Sequence, residues 1–372
     1  MRIGIDARFW DSTWQGIDRY TGEIIMHLGK FDRKNTYCIF ARNDAHIPKL
    51  PMNFHLVRVS YRWYGFSEQI TWPLLLRKYK LDLMHFTHFN VPLLYRQPFV
   101  VTIHDLILLH SRGTHLSTLN PAFFAAKYAV YKVVLSSAVR RASKIITISQ
   151  YSRKDIERYY PAIRDKITVI YNGITSGEGI TDDVARSFTF PQKFALYVGN
   201  AYPHKNLDFL LKEFHAWAQD HRDCDLVLIG KRDAFYASLE QRYPSDKYKH
   251  FHFTGLVDDA TLMRAYREAR LFIMPSLHEG FGMPVLEAMS AGTAVLAAQA
   301  GATPEIAGDG ALYFEPHNSQ DFQTKLSIAF NDVKTRDVLR ERGYKRVQLF
   351  SWMKAAQQHH ALYSEFKNQY NA

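Results

Sequence analysis

Short, nearly unbroken apolar runs alternating with helical stretches fix what this chain can become. Phe99-Val100-Val101-Thr102-Ile103, Ile145-Ile146-Thr147-Ile148-Ser149, Phe194-Ala195-Leu196-Tyr197-Val198, Leu226-Val227-Leu228-Ile229 and Leu271-Phe272-Ile273-Met274 all read this way. A strand buried on both faces has this pattern, as in a parallel sheet covered by helices. The alternation pauses over Thr175–Asp183, rich in Gly, Ser, Thr and Asp, and restarts at Phe194. With 372 residues there is length for two cores. The expected division is an α/β domain over 1–180, a second over 181–350, and a final helical segment over 351–372.

In open α/β sheets ligands bind beyond the carboxyl ends of the strands, so the polar residues placed there are the site candidates. The first strand, Met1–Asp6, runs through Trp14 to Gly16 and a helix with Ile17, Tyr20, Ile24 and Leu28 on one face. His85 and His88 end the Leu81–Phe86 run, and His104 follows Ile103. Phe194–Val198 leads through Gly199-Asn200 to Lys205 at the start of the helix Leu207–Trp217. A lysine at a helix N-terminus opposes the dipole unless an anion lies close. Lys231 follows Leu226–Ile229 as a second cation, and Gly255-Leu256 ends the run that begins at Phe251.

Leu271–Met274 delivers the densest motif. After Ser276 comes His278-Glu279-Gly280-Phe281-Gly282-Met283-Pro284, and Glu287 lies eight positions beyond Glu279. Glycines let the backbone approach a ligand, and Pro284 suits the first turn of a helix whose unpaired amides attract anions. Carboxylates accept hydrogen bonds from vicinal hydroxyls. Two acids around such a turn can hold both ends of a sugar nucleotide.

This Glu-x7-Glu segment resembles the signature of the retaining glycosyltransferases of family 4, which have the GT-B fold. Val101-Thr102-Ile103-His104-Asp105-Leu106, Thr147–Arg153, Val169–Ile174 and Phe253–Pro316 resemble the same family in order. The resemblance implies an α/β protein of two Rossmann-like, doubly wound domains facing across a cleft, with the last helix, Ser351–Lys367, crossing back to the first. It implies a metal-independent transfer of a hexosyl unit from a nucleotide-diphosphate sugar, with retention at the anomeric carbon. In that scheme Glu287 holds the ribose and Glu279 the donor sugar, while Lys205 neutralises the diphosphate and His104 contacts the sugar. Gly16, Asn200, Lys231, Gly255, Leu256, Ser276, Gly280, Phe281 and Gly282 complete the donor side, and Trp14, His85 and His88 line the acceptor side. Asp18 stands where the family has a glycine, and Asn200 where many members have an arginine.

No cofactor is expected beyond the nucleotide-sugar co-substrate. Likeness to bacterial mannosyltransferase-type members favours GDP-mannose, with a UDP-sugar as the alternative, in polysaccharide synthesis. A GT-B epimerase or phosphorylase, or a non-catalytic nucleotide-sugar-binding module, is the alternative reading. A Rossmann oxidoreductase would need Gly-x-Gly-x-x-Gly after the first strand, which is missing. Asp223-Cys224-Asp225 matches a metal-binding Asp-x-Asp, but it enters a buried strand and the match is short.

The net charge is +11, and between Leu83 and Lys154 Asp105 is the single acid against nine Lys and Arg. That balance suits a glycan or lipid-linked acceptor at an anionic membrane surface. Nucleic acid is not expected, for no zinc-finger, RNP-like or helix-turn-helix pattern is present. No apolar run nears the ~20 residues of a spanning helix, and Asp6 interrupts the N-terminus too early for a signal peptide. With Cys38 and Cys224 far apart, a reducing cytoplasm is expected, with peripheral contact at the inner membrane face.

Overall fold

The computed structural model describes residues 1–10, 16–61, 65–110, 121–174 and 188–370. The chain divides into two compact units: Met1–Leu106 with Leu119–Gly173 and Ser351–Ala372, and Ile107–Thr118 with Ile174–Phe350.

The first unit is built on a seven-stranded parallel sheet: β1 (Arg2–Asp6), β2 (Thr36–Arg42), β3 (Phe54–Val59), β4 (Leu83–Phe86), β5 (Phe99–Ile103), β6 (Lys144–Thr147) and β7 (Ile167–Val169). Its order is β3-β2-β1-β4-β5-β6-β7. The central strands are buried along their whole length, which is why they are apolar without alternation. The chain reverses direction across the sheet between β1 and β4, so the crevice at their carboxyl ends is a topological switch point.

The second unit repeats the scheme with β8 (Phe194–Val198), β9 (Asp225–Ile229), β10 (Phe251–Gly255), β11 (Leu271–Met274), β12 (Val295–Ala298) and β13 (Ala311–Phe314), in the order β10-β9-β8-β11-β12-β13. Its switch point lies between β8 and β11, where Leu271 and Phe272 pair with Ala195 and Leu196. Leu210, Phe214, Leu228, Ile273, Phe322 and Phe330 pack within one core. Both sheets are parallel and doubly wound, which is the α/β architecture that the strand patterning and the family resemblance together predict.

Helix starts obey local chemistry. Ser149 Oγ accepts the Ser152 amide at 3.0 Å and starts the helix Gln150–Tyr159, and Asp258 accepts the Thr261 amide at 2.7 Å to start Asp259–Glu268.

The last helix, Trp352–Tyr370, packs on Ile17–Phe31 and belongs to the first unit. Where the chain leaves the first unit at Gly173, a Cβ would stand 2.0 Å from the Trp352 amide nitrogen, so only glycine allows the two segments to touch. A buried polar relay fastens this helix to the sheet. His359 Nδ1–H donates to the Ala355 carbonyl at 2.7 Å, so its Nε2 accepts the Tyr20 hydroxyl at 2.8 Å. Tyr20 then accepts from Thr102, which accepts from His85 Nε2–H, both at 2.8 Å. His85 Nδ1 is left to accept the Tyr363 hydroxyl at 2.7 Å. Each proton has one place to go, and burial pushes both imidazoles well below their usual pKa, which keeps them neutral.

Apolar periodicity places Phe124, Tyr128, Tyr131 and Leu135 on a core-facing stripe of the helix Pro121–Arg141. Leu135 is buried, but the other three are half-buried, and Val130 and Val133 are each 58 % exposed. The burial falls instead on Val134, Leu135, Ala138 and Val139 near the helix's C-terminus.

Candidate active site

The switch point of the second sheet gathers two loops. After β8 the chain turns through Gly199 and Asn200 into a short 3-10 turn, Pro203–Lys205, and Asn206, at φ 57°, begins the helix Leu207–Ala218. After β11 it runs to Gly282, at φ 94°, and into the helix Met283–Ser290. The Leu277 amide donates to the His204 carbonyl at 2.8 Å and ties the two loops together. That tie sets Lys205 Nζ 2.6 Å from Glu279 Oε1, with the side chains 15 % and 10 % exposed. Burial, with Lys205 alongside, pushes His204 down to about 4, so that Lys205 is the cation of this turn at neutral pH.

Glu279 is held by its backbone. Its carbonyl accepts the Ala302 amide at 3.0 Å, and its nitrogen lies 2.6 Å from where a Cβ on Gly301 would stand. Glu287, one turn into Met283–Ser290 and buried, accepts the Tyr266 hydroxyl on Oε2 at 2.8 Å. Tyr266 is itself fully buried, and its carbonyl accepts Thr293 Oγ1. A buried carboxylate needs such partners.

The other expected donor residues fall into two groups. Asn200 is half-exposed at the end of β8, its carbonyl held by the Tyr197 hydroxyl at 2.7 Å. Lys231 is exposed at the end of β9, and Gly255 and Leu256 end β10, with Gly255 at φ 79° and Leu256 58 % exposed. Gly280 and Gly282 line the turn before Met283. The side chains of Ser276 and Phe281 are turned inward. Ser276 is fully buried with its hydroxyl on Met274 Sδ at 3.4 Å, and the Phe281 ring packs edge-on against Phe350. Both side chains are buried, and so are Gly280 and Gly282 beside them.

In the first unit, His104 follows β5 and donates Nε2–H to the Thr87 carbonyl at 2.9 Å, with Tyr20 edge-on at 4.8 Å. Burial pushes it down to about 4, so Nδ1 carries a lone pair at neutral pH and accepts hydrogen bonds. His88 is pushed lower, to about 3, by burial and then by His104 and Arg8, and its buried Nδ1 has no partner among the described residues. His85 does not face a ligand: it is fully buried, and both ring nitrogens are taken by the relay. Its position one residue before the end of β4 turns it beneath the sheet, toward the last helix. Gly16 starts its helix at φ 52° with open space around it, Asp18 is buried in the first turn, and Trp14 lies outside the described residues.

Three residues went unseen in the motifs. Tyr266 holds Glu287. Arg232, next to Lys231, comes within 3.9 Å of the Gly255 Cβ position and is tied to Glu240 and the Phe253 carbonyl, both at 2.8 Å. Arg8, fully buried beyond β1, bridges Asp6 and Glu68 at 2.7 Å each. Asp223 pairs with Lys193, and Asp225 with His252 at 3.1 Å, so the Asp-x-Asp acids serve different partners. Among the described residues no group of three or more His, Cys, Asp or Glu is placed to hold a metal ion.

The chain is similar to the O-antigen chain mannosyltransferase B of Escherichia coli, 29 % identical over 74 % of this chain and 72 % of that protein. It is 26 % identical to the O-antigen chain mannosyltransferase RfbU of Salmonella typhimurium, over 71 % of this chain and 69 % of that one. Sucrose-phosphate synthase from Thermosynechococcus elongatus shares the fold at a TM-score of 0.77 and 18 % identity, covering 99 % of this chain and 100 % of that one. Residues 14–177 match the family model described as Glycosyltransferase Family 4, and residues 183–346 the one described as Glycosyl transferases group 1. The two matches follow the two sheets in chain order and together take in most of the chain, and the protein belongs to the glycosyltransferases that these models describe.

Proposed function

We propose that the protein moves a hexosyl unit, mannose in the first instance, from a nucleotide-diphosphate sugar to a hydroxyl of a glycan or lipid-linked acceptor in O-antigen-type polysaccharide synthesis. The observation that carries this is the Lys205–Glu279 pair at a switch point, with Glu287 held ready by Tyr266 on the next helix. A diphosphate leaving group gathers negative charge as the glycosidic bond breaks, and a fixed cation with oriented amides stabilises that charge most where water is scarce. Lys205 supplies the cation, and the amides of Gly280–Gly282 at the start of Met283–Ser290 supply the dipoles. Glu287 takes the ribose hydroxyls. Glu279 takes donor-sugar hydroxyls and steadies the oxocarbenium-like centre. His104 offers Nδ1 to a sugar hydroxyl. This set needs no metal, and the anomeric configuration is retained.

The relatives' names support mannose, and the donor proposed is GDP-mannose. Incubation with GDP-mannose, GDP-fucose, UDP-glucose and UDP-galactose, read by mass spectrometry for nucleoside diphosphate release, tests this. Release from GDP-mannose alone is the expected result; release from the UDP-sugars only would overturn the donor assignment.

A membrane-facing acceptor is favoured by Val130 and Val133, which stand exposed beside Lys127 and Lys132. No helix among the described residues is long and apolar enough to cross a membrane. The contact proposed is peripheral, and vesicles containing anionic lipid should sediment the protein at low salt but not at high salt.

A further inference from the structure

The cation assigned to the donor's phosphates is already engaged by one of the protein's own acids. Lys205 Nζ and Glu279 Oε1 stand 2.6 Å apart in a largely dry setting, and an anion approaching Lys205 has to displace that contact. Backbone holds both partners in reach. Glu279 is clamped by Gly301 and Ala302, and the turn bearing Lys205 is tied at His204 to Leu277, two residues before Glu279. The pair is thus a built feature of the β8–β11 switch point rather than a chance meeting of two long side chains.

We propose that Glu279, by competing for Lys205, makes the site select an intact nucleotide sugar over a bare nucleoside diphosphate. The proposal rests on Lys205 being the phosphate-binding residue. A nucleotide sugar brings a diphosphate for Lys205 and hydroxyls for Glu279, so both members of the broken pair find new partners. A nucleoside diphosphate satisfies Lys205 alone and strands a buried carboxylate, which offsets most of the gain. After transfer, the departing diphosphate meets the same competition. Glu279 has lost its sugar partner, returns to Lys205 and hastens product release. The acid that positions the substrate also keeps the product from lingering.

Calorimetric titration of the full chain with GDP and with UDP tests this. Glu279→Gln should bind the nucleoside diphosphate that the unaltered protein prefers about tenfold more tightly. It should also suffer stronger inhibition by that product, whatever its residual turnover. In a Lys205→Ala background the same substitution should bring no gain, because the competition acts only through Lys205. Glu279→Asp, which keeps the charge but shortens the reach, should move in the same direction by less, and it serves if the Gln variant does not fold. Unchanged or weaker binding by Glu279→Gln overturns the competition. A gain that persists without Lys205 also overturns it, since plain repulsion between carboxylate and phosphate would then suffice. If neither GDP nor UDP binds, or if Lys205→Ala changes neither affinity nor turnover, it is the phosphate assignment that falls.

Discussion

Under the proposed transfer Lys205 meets charge that grows only as the sugar departs, while in the free protein Glu279 already answers part of the lysine's charge. Lys205→Ala should therefore lower kcat by about 10²–10³-fold and shift the donor's Kd far less, a split that stopped-flow binding beside turnover would reveal. Glu287→Ala should do the reverse and weaken the donor chiefly in the ground state. Tyr266→Phe removes the hydroxyl on Glu287 Oε2. It should cost about 1 kcal/mol of stability and reduce the discrimination between a nucleoside diphosphate and its 2′,3′-dideoxy analogue. A purely structural tyrosine would change stability and leave that discrimination alone. The spacing of Glu279 and Glu287 around two glycines, and a lysine against the helix dipole, marked the candidate site from sequence. Tyr266, Arg232 and Arg8 left no such mark, because each acts through a partner that folding alone brings near. Ser276, Phe281 and His85 show the converse: a motif orders residues along the chain, but burial decides which way each side chain turns.

Turns hold the site in place, and the glycines within them are constrained by contact. Gly301 lies at φ 63° with its missing Cβ aimed at the Glu279 nitrogen. Gly301→Ala should displace Glu279, destabilise by about 1–3 kcal/mol and depress turnover; an unchanged melting temperature and rate would show that the clamp is dispensable. In the relay under the last helix, Tyr20→Phe leaves the Thr102 hydroxyl proton and His359 Nε2 without partners at once. Chemical denaturation should register a loss of about 1–3 kcal/mol. Short parallel strands were readable because both their faces are apolar: Phe194–Val198 and Leu271–Met274 form over the residues that the pattern marks. The helix Pro121–Arg141 was readable as a helix, but its buried face was not, because its apolar residues outnumber its packing partners and periodicity could not tell which of them stay in water. The relay was invisible for another reason, since His85 and Tyr363 stand 278 positions apart.

Four neutral histidines tie the stability of the first unit to pH. Burial holds His88 near 3 and His104 and His359 near 4, against 6.5 for an ordinary imidazole, and pushes His85 down as well. As pH falls below about 6.5 the unfolded chain binds protons that the folded one refuses. Their contribution is full above that pH and drains away toward 4. Calorimetric scans should show the melting temperature dropping between about pH 6.5 and 4.5, and substituting Phe for His359 should flatten that slope. Two α/β sheets in succession were evident from the repeat of apolar runs, but the joining of residues 351–370 to the first sheet depended on family likeness. That joining has a bearing on biosynthesis. A ribosome makes the N-terminal sheet first and its covering helix, Trp352–Tyr370, only after the second unit, so the earlier unit must wait, one flank open, while the later unit closes around its own core. Residues 1–173 made alone should stay aggregation-prone, and a separate peptide spanning 351–370 should rescue them.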